Sequence, residues 1–401
     1  MILIQHKSQC CGCAACVQRC PRQCILLEED TEGFLYPKVD VSRCIDCGLC
    51  EKVCPVLHPG TSHAPQACYA ALHPDKQIRE ACSSGGSFTA LAASVLASGG
   101  VVFGARFASD WSVEHAYTET LEGLAAFRGS KYVQSRIGSA YSQAETFLKQ
   151  GRRVLFTGTP CQISGLRRFL RKDYEGLLTL DFICHGVPSP LVWRRYLQAV
   201  RPSSGDTSLR GVSFRDKEHG WHSYRVTFRY DHASVSRYFY EDPYMRGFLA
   251  DLFLRPSCYA CAAKSCSSGA DLTMGDFWGI EHVHPELDDD GGVSCILVHT
   301  PSGARALQQI PLQLNSSTYQ EVVQYNPALE HSPKASAARR SRFFELLAHQ
   351  GVISACEELT RVSVAKRLLT YIIHSGFISG YQNRYGDNLK PPTNVYHRMT
   401  A

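Results

Sequence analysis

From residue 67 to about residue 300 the chain alternates short apolar runs with stretches whose apolar residues recur every three to four positions. Val154 to Thr157 is one such run, followed by a helical face of Leu166, Phe169 and Leu170; Leu177 to Ile183 is another, followed by Leu191 to Val200. Strand-like runs alternating with helical ones predict an α/β domain. Ser223 to Tyr230 and Val235 to Tyr240 read as a hairpin, so the sheet is expected to be mixed rather than wholly parallel. Cys82 to Ala105 lacks any charged residue, a length that invites a membrane span. Its glycines at 85, 86, 99, 100 and 104 divide it instead into a turn, a helix over Phe88 to Ala97, a second turn and a strand over Val101 to Phe103. Past residue 300, helical patterns cover Ala335 to His349 and Val364 to Ile378. The basic run Arg339, Arg340, Arg342 there reads more readily as a solvated helix face than as a partner site.

The N-terminal 60 residues follow neither pattern. Cys10, Cys13, Cys16, Cys20 and Pro21 recur 34 positions later as Cys44, Cys47, Cys50, Cys54 and Pro55, so this stretch is one duplicated module. Pro55, Pro59, Gly60, Thr61, Ser62 and Pro65 then form an aperiodic linker. The expected organisation is a two-cluster module over 1–60, an α/β domain over 67–300 and a mostly helical extension over 301–401, α+β taken overall.

Composition adds little to this. A chain of 401 residues with 44% hydrophobic and 20% charged residues has room for two or three folded domains and is not disordered. A formal charge of +5 is too dilute to argue for nucleic acid or an anionic membrane. Cysteine is the exception: of nineteen, ten lie in the first 54 residues. Spacings this short favour metal ligation over disulfides, and no charged-then-apolar leader opens the chain, so a reducing cytoplasm is expected.

Each repeat is C-x-x-C-x-x-C-x-x-x-C-P. This run binds 4Fe-4S clusters because three closely spaced thiolates wrap one cube while the fourth reaches the other. The crossing assigns Cys10, Cys13, Cys16 and Cys54 to one cluster and Cys44, Cys47, Cys50 and Cys20 to the second. Zinc is the rival for C-x-x-C pairs, and a doubled four-cysteine run with its proline argues against it. Cys11 and Cys24 lie off this register and receive no role. Four more cysteines stand in turns or at strand ends, namely Cys161, Cys184, Cys258 and Cys261. The first two each follow an expected strand and could face one crevice, although spacing alone leaves a third cluster open against ordinary thiols. Cys266 is close enough to compete as a ligand, whereas Cys68, Cys82, Cys295 and Cys356 read as plain thiols.

Ser83, Ser84, Gly85, Gly86 and Ser87 precede a helix, where backbone N–H groups could receive a phosphate; a plain N-cap with a tight turn explains them as well. Neither a G-x-G-x-x-G fingerprint nor a P-loop occurs, and the C-x-x-x-C-x-x-C run of radical enzymes is absent.

The ordered set Ser84-Gly85-Gly86-Ser87-Phe88-Thr89-Ala90-Leu91, Arg128-Gly129-Ser130-Lys131-Tyr132, Thr159-Pro160-Cys161-Gln162, Ile183-Cys184-His185-Gly186, Cys258-x-x-Cys261 and Leu272-Thr273-Met274-Gly275-Asp276 resembles the coenzyme F-420 hydrogenase/dehydrogenase beta-subunit family. The likeness covers residues 67 to 300, with the ferredoxin module added in front. It implies FAD beside a third 4Fe-4S cluster held by Cys161, Cys184, Cys258 and Cys261. A flavin pocket is implied around Ser84, Gly85, Gly86, Ser87, Ser130, Lys131, Tyr132 and Thr159. Within it Lys131 is a phosphate or flavin-carbonyl partner or else a surface ion pair, and His185 a proton relay or else a packed histidine. The implied function is a flavin-dependent iron–sulfur oxidoreductase passing electrons between a hydride donor or acceptor and the clusters. Its alternative is an electron-transfer subunit acting only with a catalytic partner. The implied partners are a redox protein or ferredoxin and a small hydride carrier, with oligomerisation open and neither nucleic acid nor a membrane span.

Overall fold

The computed structural model describes residues 1–202, 208–334 and 336–361; the expected helix over Val364 to Ile378 lies outside them. In the N-terminal module, strands β1 (Ile25–Glu29) and β2 (Leu35–Val39) pair as an antiparallel hairpin. Two short helices, Ala15–Arg19 and Leu49–Lys52, begin at equivalent points of the two repeats.

The strands that follow are β3 (Ala67–Leu72), β4 (Val101–Phe107), β5 (Val113–Thr118), β6 (Val154–Gly158), β7 (Leu177–Phe182), β8 (Leu209–Asp216), β9 (Arg225–Tyr230), β10 (Ser234–Tyr238), β11 (Leu272–Asp276), β12 (Ser294–Val298) and β13 (Gln313–Ser317). Eight of them form one sheet in the order β13-β3-β12-β11-β7-β6-β4-β5. Its centre is parallel, β4 with β6, β6 with β7 and β7 with β11. Both flanks are antiparallel. Every residue of β6 and β12 is buried, as continuous apolar runs require when helices cover both faces. Alternate side chains serve the two faces. Phe156 and Phe103 pack under helices Ala140–Lys149 and Pro160–Leu170, while Leu155, Leu180 and Ile296 pack under helix Ser87–Ala97.

The sheet is mixed as expected, but the hairpin is not the cause. β9 and β10 join β8 in a separate three-stranded sheet. Val226, Phe228 and Tyr230 turn inward onto Trp193, Tyr196 and Tyr244, a core shared with helices Pro190–Ala199, Pro243–Leu249 and Ala337–Leu359. The main sheet also continues past residue 300, where helix Pro301–Gln308 leads into β13 beside β3. Helix Ala337–Leu359, broken at Gly351, is longer than its pattern suggested. Arg340 is not solvated: its guanidinium forks onto both oxygens of Glu32 at 2.5 and 2.7 Å, tying the last described helix to the N-terminal module. Among the described residues no helix is long and apolar enough to cross a membrane.

Candidate redox centres

The two cysteine loops of the module are built alike. Gly12 and Ala14 in the first repeat, and Asp46 and Gly48 at the equivalent places in the second, all carry positive φ of 48° to 75°. Left-handed residues inserted into a tight loop turn successive N–H groups toward a common centre, the backbone arrangement that holds anions and iron–sulfur clusters. The structure brings Cys20, Cys44, Cys47 and Cys50 around a cavity of about 350 Å³, with Cys24, Ile25, Val39 and Ile45 on its wall. Cys47 is exposed, which makes this the outer site. Cys10, Cys13, Cys16 and Cys54 form the inner one. Burial, then the neighbouring Cys10 and Cys54, pushes the Cys16 thiol up to about 12, and burial also raises Cys54. Cys24, given no role from spacing, lies 3.4 Å from the Cys20 sulfur.

A third group assembles at the carboxyl end of the parallel strands, where crevices form in α/β sheets. Cys161 stands in the first turn of helix Pro160–Leu170, just past β6, and Cys184 just past β7. Cys258 and Cys261 arrive on the 3-10 turn Pro256–Ala260 and the residue after it. All four line one cavity of about 530 Å³, together with Asp181, His185, Lys264 and Cys266. Burial drives the Cys184 thiol upward and the Cys258 thiol up to about 12, with the other cysteines adding to it, while Lys264 opposes the rise at Cys184. Crowded, buried, unbridged thiols are an awkward arrangement unless a cation discharges them; the donor set, soft sulfur in groups of four, suits iron–sulfur clusters. The Lys264 ammonium donates to the Cys184 carbonyl at 2.6 Å.

One helix links the inner group to the third. Cys161 begins helix Pro160–Leu170, and Gly165, one turn along the same face, is pressed so closely on Cys13 that an added Cβ would meet its Cβ at 2.8 Å and its sulfur at 3.0 Å. Cys11 is buried in the same seam, beside Cys13 and Cys161. No spacing rule could have singled out Cys11, because its role depends on a residue 150 positions away.

The segments linked by resemblance to a flavin also meet. The Ser130 N–H donates to Ser83 Oγ at 2.8 Å. Gly85 N–H is taken by Ser294 Oγ, and Ser84 Oγ donates to the Val293 carbonyl, so these residues fasten the loop to β12. Gly86, with φ of 88°, starts helix Ser87–Ala97, and Ser87 Oγ is buried there without a hydrogen-bond partner. The Lys131 ammonium donates to the Arg128 and Gly129 carbonyls at 2.9 and 3.1 Å, has no carboxylate within ion-pair distance among the described residues, and is lowered by burial to about 7. It lies near His115, whose ring is held by Thr157 and Ser135. Tyr132 packs edge-on against Phe214 and its carbonyl accepts from Tyr244. Thr159 caps helix Pro160–Leu170, and its hydroxyl lies 3.3 Å from the Cys161 sulfur. His185 is paired with Asp251 at 2.6 Å and packs edge-on against Phe248. A buried serine hydroxyl without a partner at a helix start, and a lysine whose partners are carbonyls rather than a carboxylate, have the chemistry to meet the phosphate or carbonyl groups of a flavin nucleotide.

Three family models match the chain. Residues 9–57 match a 4Fe-4S dicluster domain, residues 68–141 the N-terminal part of the coenzyme F420 hydrogenase/dehydrogenase beta subunit, and residues 151–320 its C-terminal part. The two beta-subunit parts together span more than half of the chain, which belongs to this family and carries a 4Fe-4S dicluster domain in front of it. A ferredoxin 7Fe of Hydrogenibacillus schlegelii is 51% identical over 43 residues, covering 11% of this chain and 49% of that protein. NADH-quinone oxidoreductase subunit I 2 of Geobacter metallireducens is 42% identical over 55 residues, covering 12% of this chain and 42% of that protein. The chain thus spans less than half the length of these curated relatives. A solved chain of the F420-reducing [NiFe] hydrogenase complex from Methanosarcina barkeri is 16% identical, with 82% of this chain and 97% of that one covered and a TM-score of 0.44.

Proposed function

We propose that this chain is a flavin-dependent iron–sulfur oxidoreductase in which single electrons pass between the exposed edge of the dicluster module and a flavin in the α/β domain. The carrying observation is the shared helix: Cys161 and Gly165 set the third cysteine group directly against Cys13 of the inner one. In this reading Cys20, Cys44, Cys47 and Cys50 hold the outer cluster, Cys10, Cys13, Cys16 and Cys54 the inner, and Cys161, Cys184, Cys258 and Cys261 the third. Ser84 to Ser87, Ser130 to Tyr132 and Thr159 would hold FAD. When bound, FAD supplies the exchange between a two-electron hydride and single electrons, and the clusters carry those electrons. The chain's own residues do the rest. Lys131, with no carboxylate within ion-pair distance among the described residues, would face a flavin carbonyl or phosphate, and His185, held by Asp251 beside Cys184, would hold or pass a proton. The partners in this reading are a deazaflavin or nicotinamide carrier, or reduced ferredoxin; the coenzyme F420 in the family's description supports the first.

Anaerobic purification followed by iron, sulfide and flavin analysis tests this. The expected result is iron and sulfide for three cubes and one flavin per chain; a preparation with full clusters that takes up no FAD overturns the flavin assignment. That outcome favours the second reading, an electron-transfer subunit that works only when docked to a catalytic partner. Its supporting observation is the set of exposed apolar side chains Leu26, Val41 and Ile45 on the module that carries the exposed Cys47.

A further inference from the structure

Arg255 is completely buried, with 0% of its surface exposed, at the seam between the module and the α/β domain. Each of its three nitrogens donates. Nε donates to the Cys10 carbonyl at 2.7 Å, Nη2 to the Leu35 carbonyl at 2.9 Å and toward the Cys10 sulfur at 3.5 Å, and Nη1 to Gln134 Oε1 at 2.9 Å. The rings of Tyr36 and Phe34 lie 4.4 and 5.4 Å from the guanidinium. Gly12 makes room for it, since a Cβ there would meet Nη1 at 2.8 Å. Among the described residues no carboxylate lies within ion-pair distance of Arg255, whereas Arg215, equally sunk, forks onto Asp276. Arginine does not give up its proton in proteins, and a buried charge requires a counter-charge.

We propose that Arg255 is the potential-setting cation of the inner centre, holding its added electron more tightly than the outer centre does. The inference rests on the cluster reading above. An electron taken up at Cys10, Cys13, Cys16 and Cys54 adds one negative charge, and a desolvated guanidinium touching a ligand sulfur stabilises that state strongly in a low-dielectric seam. Among the described residues the outer centre has no buried guanidinium on a ligand sulfur, and the Met1 ammonium on its wall is paired with Asp46 and Glu51. Arg22 on its wall is exposed, so water and salt screen it. The resulting gradient draws electrons inward toward Cys161.

The test is an EPR-monitored redox titration of the full, anaerobically assembled chain, with the outer signal assigned through Cys47→Ser. Arg255→Gln removes the cation. Gln134→Glu sets a carboxylate 2.9 Å from Nη1 and neutralises the cation with its side chain in place. Either variant is expected to make the inner centre at least tenfold harder to reduce at a fixed potential, about 59 mV for a one-electron couple, while the outer centre moves by less than twofold. Should Arg255→Gln fail to assemble, Gln134→Glu decides. Unmoved potentials, or equal shifts at both centres, overturn the proposal. Loss of the inner cluster from both variants also overturns it, by making Arg255 a scaffold residue. A wild-type chain without iron and sulfide sinks the cluster reading itself, whereas intact clusters with unmoved potentials sink this inference alone.

Discussion

Replacing Gly165 with alanine places a methyl group where helix Pro160–Leu170 bears on the N-terminal module. The new Cβ would lie 2.8 Å from Cys13 Cβ, 3.0 Å from its sulfur and 2.9 Å from the Tyr141 hydroxyl, against about 3.5–4.0 Å for comfortable carbon contacts. None of these neighbours yields freely, since Cys13 belongs to a ligand loop and the Tyr141 hydroxyl is bound to the Gln162 carbonyl at 2.7 Å. Overpacking of this kind costs about 1–3 kcal/mol, while alanine gains up to about 1 kcal/mol over glycine inside a helix. The net is about 0–2 kcal/mol against docking, which multiplies the undocked population by up to about 30. Cys11 is buried only while the module is docked, so in the cluster-free chain its alkylation follows that population when closing outpaces the reagent. Labelling mapped by mass spectrometry, normalised to the exposed Cys47, should run faster at Cys11 in Gly165→Ala, by up to about 30-fold. An equal or slower rate means that helix propensity outweighs the contact, and the close packing of Cys13 on Gly165 is refuted.

Arg340→Ala removes a mostly buried, two-point pair with Glu32 and should destabilise the chain by about 1.5–3 kcal/mol, read from the shift in denaturant midpoint at unchanged slope. His115 is buried and held neutral, its pKa lowered from 6.5 to about 4 by desolvation. A depressed folded value means that the unfolded chain binds the extra proton first. His115 should therefore contribute about 3 kcal/mol of stability that is present above pH 6.5 and lost as the pH falls toward 4. Unfolding curves of His115→Gln should be correspondingly flatter across that window, and an unchanged acid slope would exclude the effect. Cys11→Ala should retain the wild-type iron and sulfide, because Cys11 lies between centres; loss of about one cube's worth on elemental analysis would make it a ligand.

Much of the site was legible in the cysteine text. The doubled run specifies three ligands of each group by short gaps and the fourth by crossing between repeats, and Gly12, Ala14, Asp46 and Gly48 bend both loops alike. Strand and helix positions around Val154 and Leu177 were legible for a similar reason, since continuous apolar runs are strands buried on both faces. The hairpin was readable as a hairpin but not as part of a second sheet, because alternation marks an inward face without saying what lies opposite. Arg340 looked solvated on its own helix, and Glu32, more than three hundred residues away, is what buries it.

What the residues determined by themselves is local: which thiols are close enough along the chain to share a cube, where strands and helices begin, and, through a set of weak motifs in order, the family. Tertiary structure alone decided which distant groups face one another. It set Cys161, Cys184, Cys258 and Cys261 on one cavity, placed Cys11 between two cysteine groups, and buried Arg255 against Cys10 with no carboxylate in ion-pair distance among the described residues. Bond geometry propagates for a few residues, so spacing can encode a ligand loop. Charge and contact act through space after the chain has closed on itself, and no one-dimensional pattern records them.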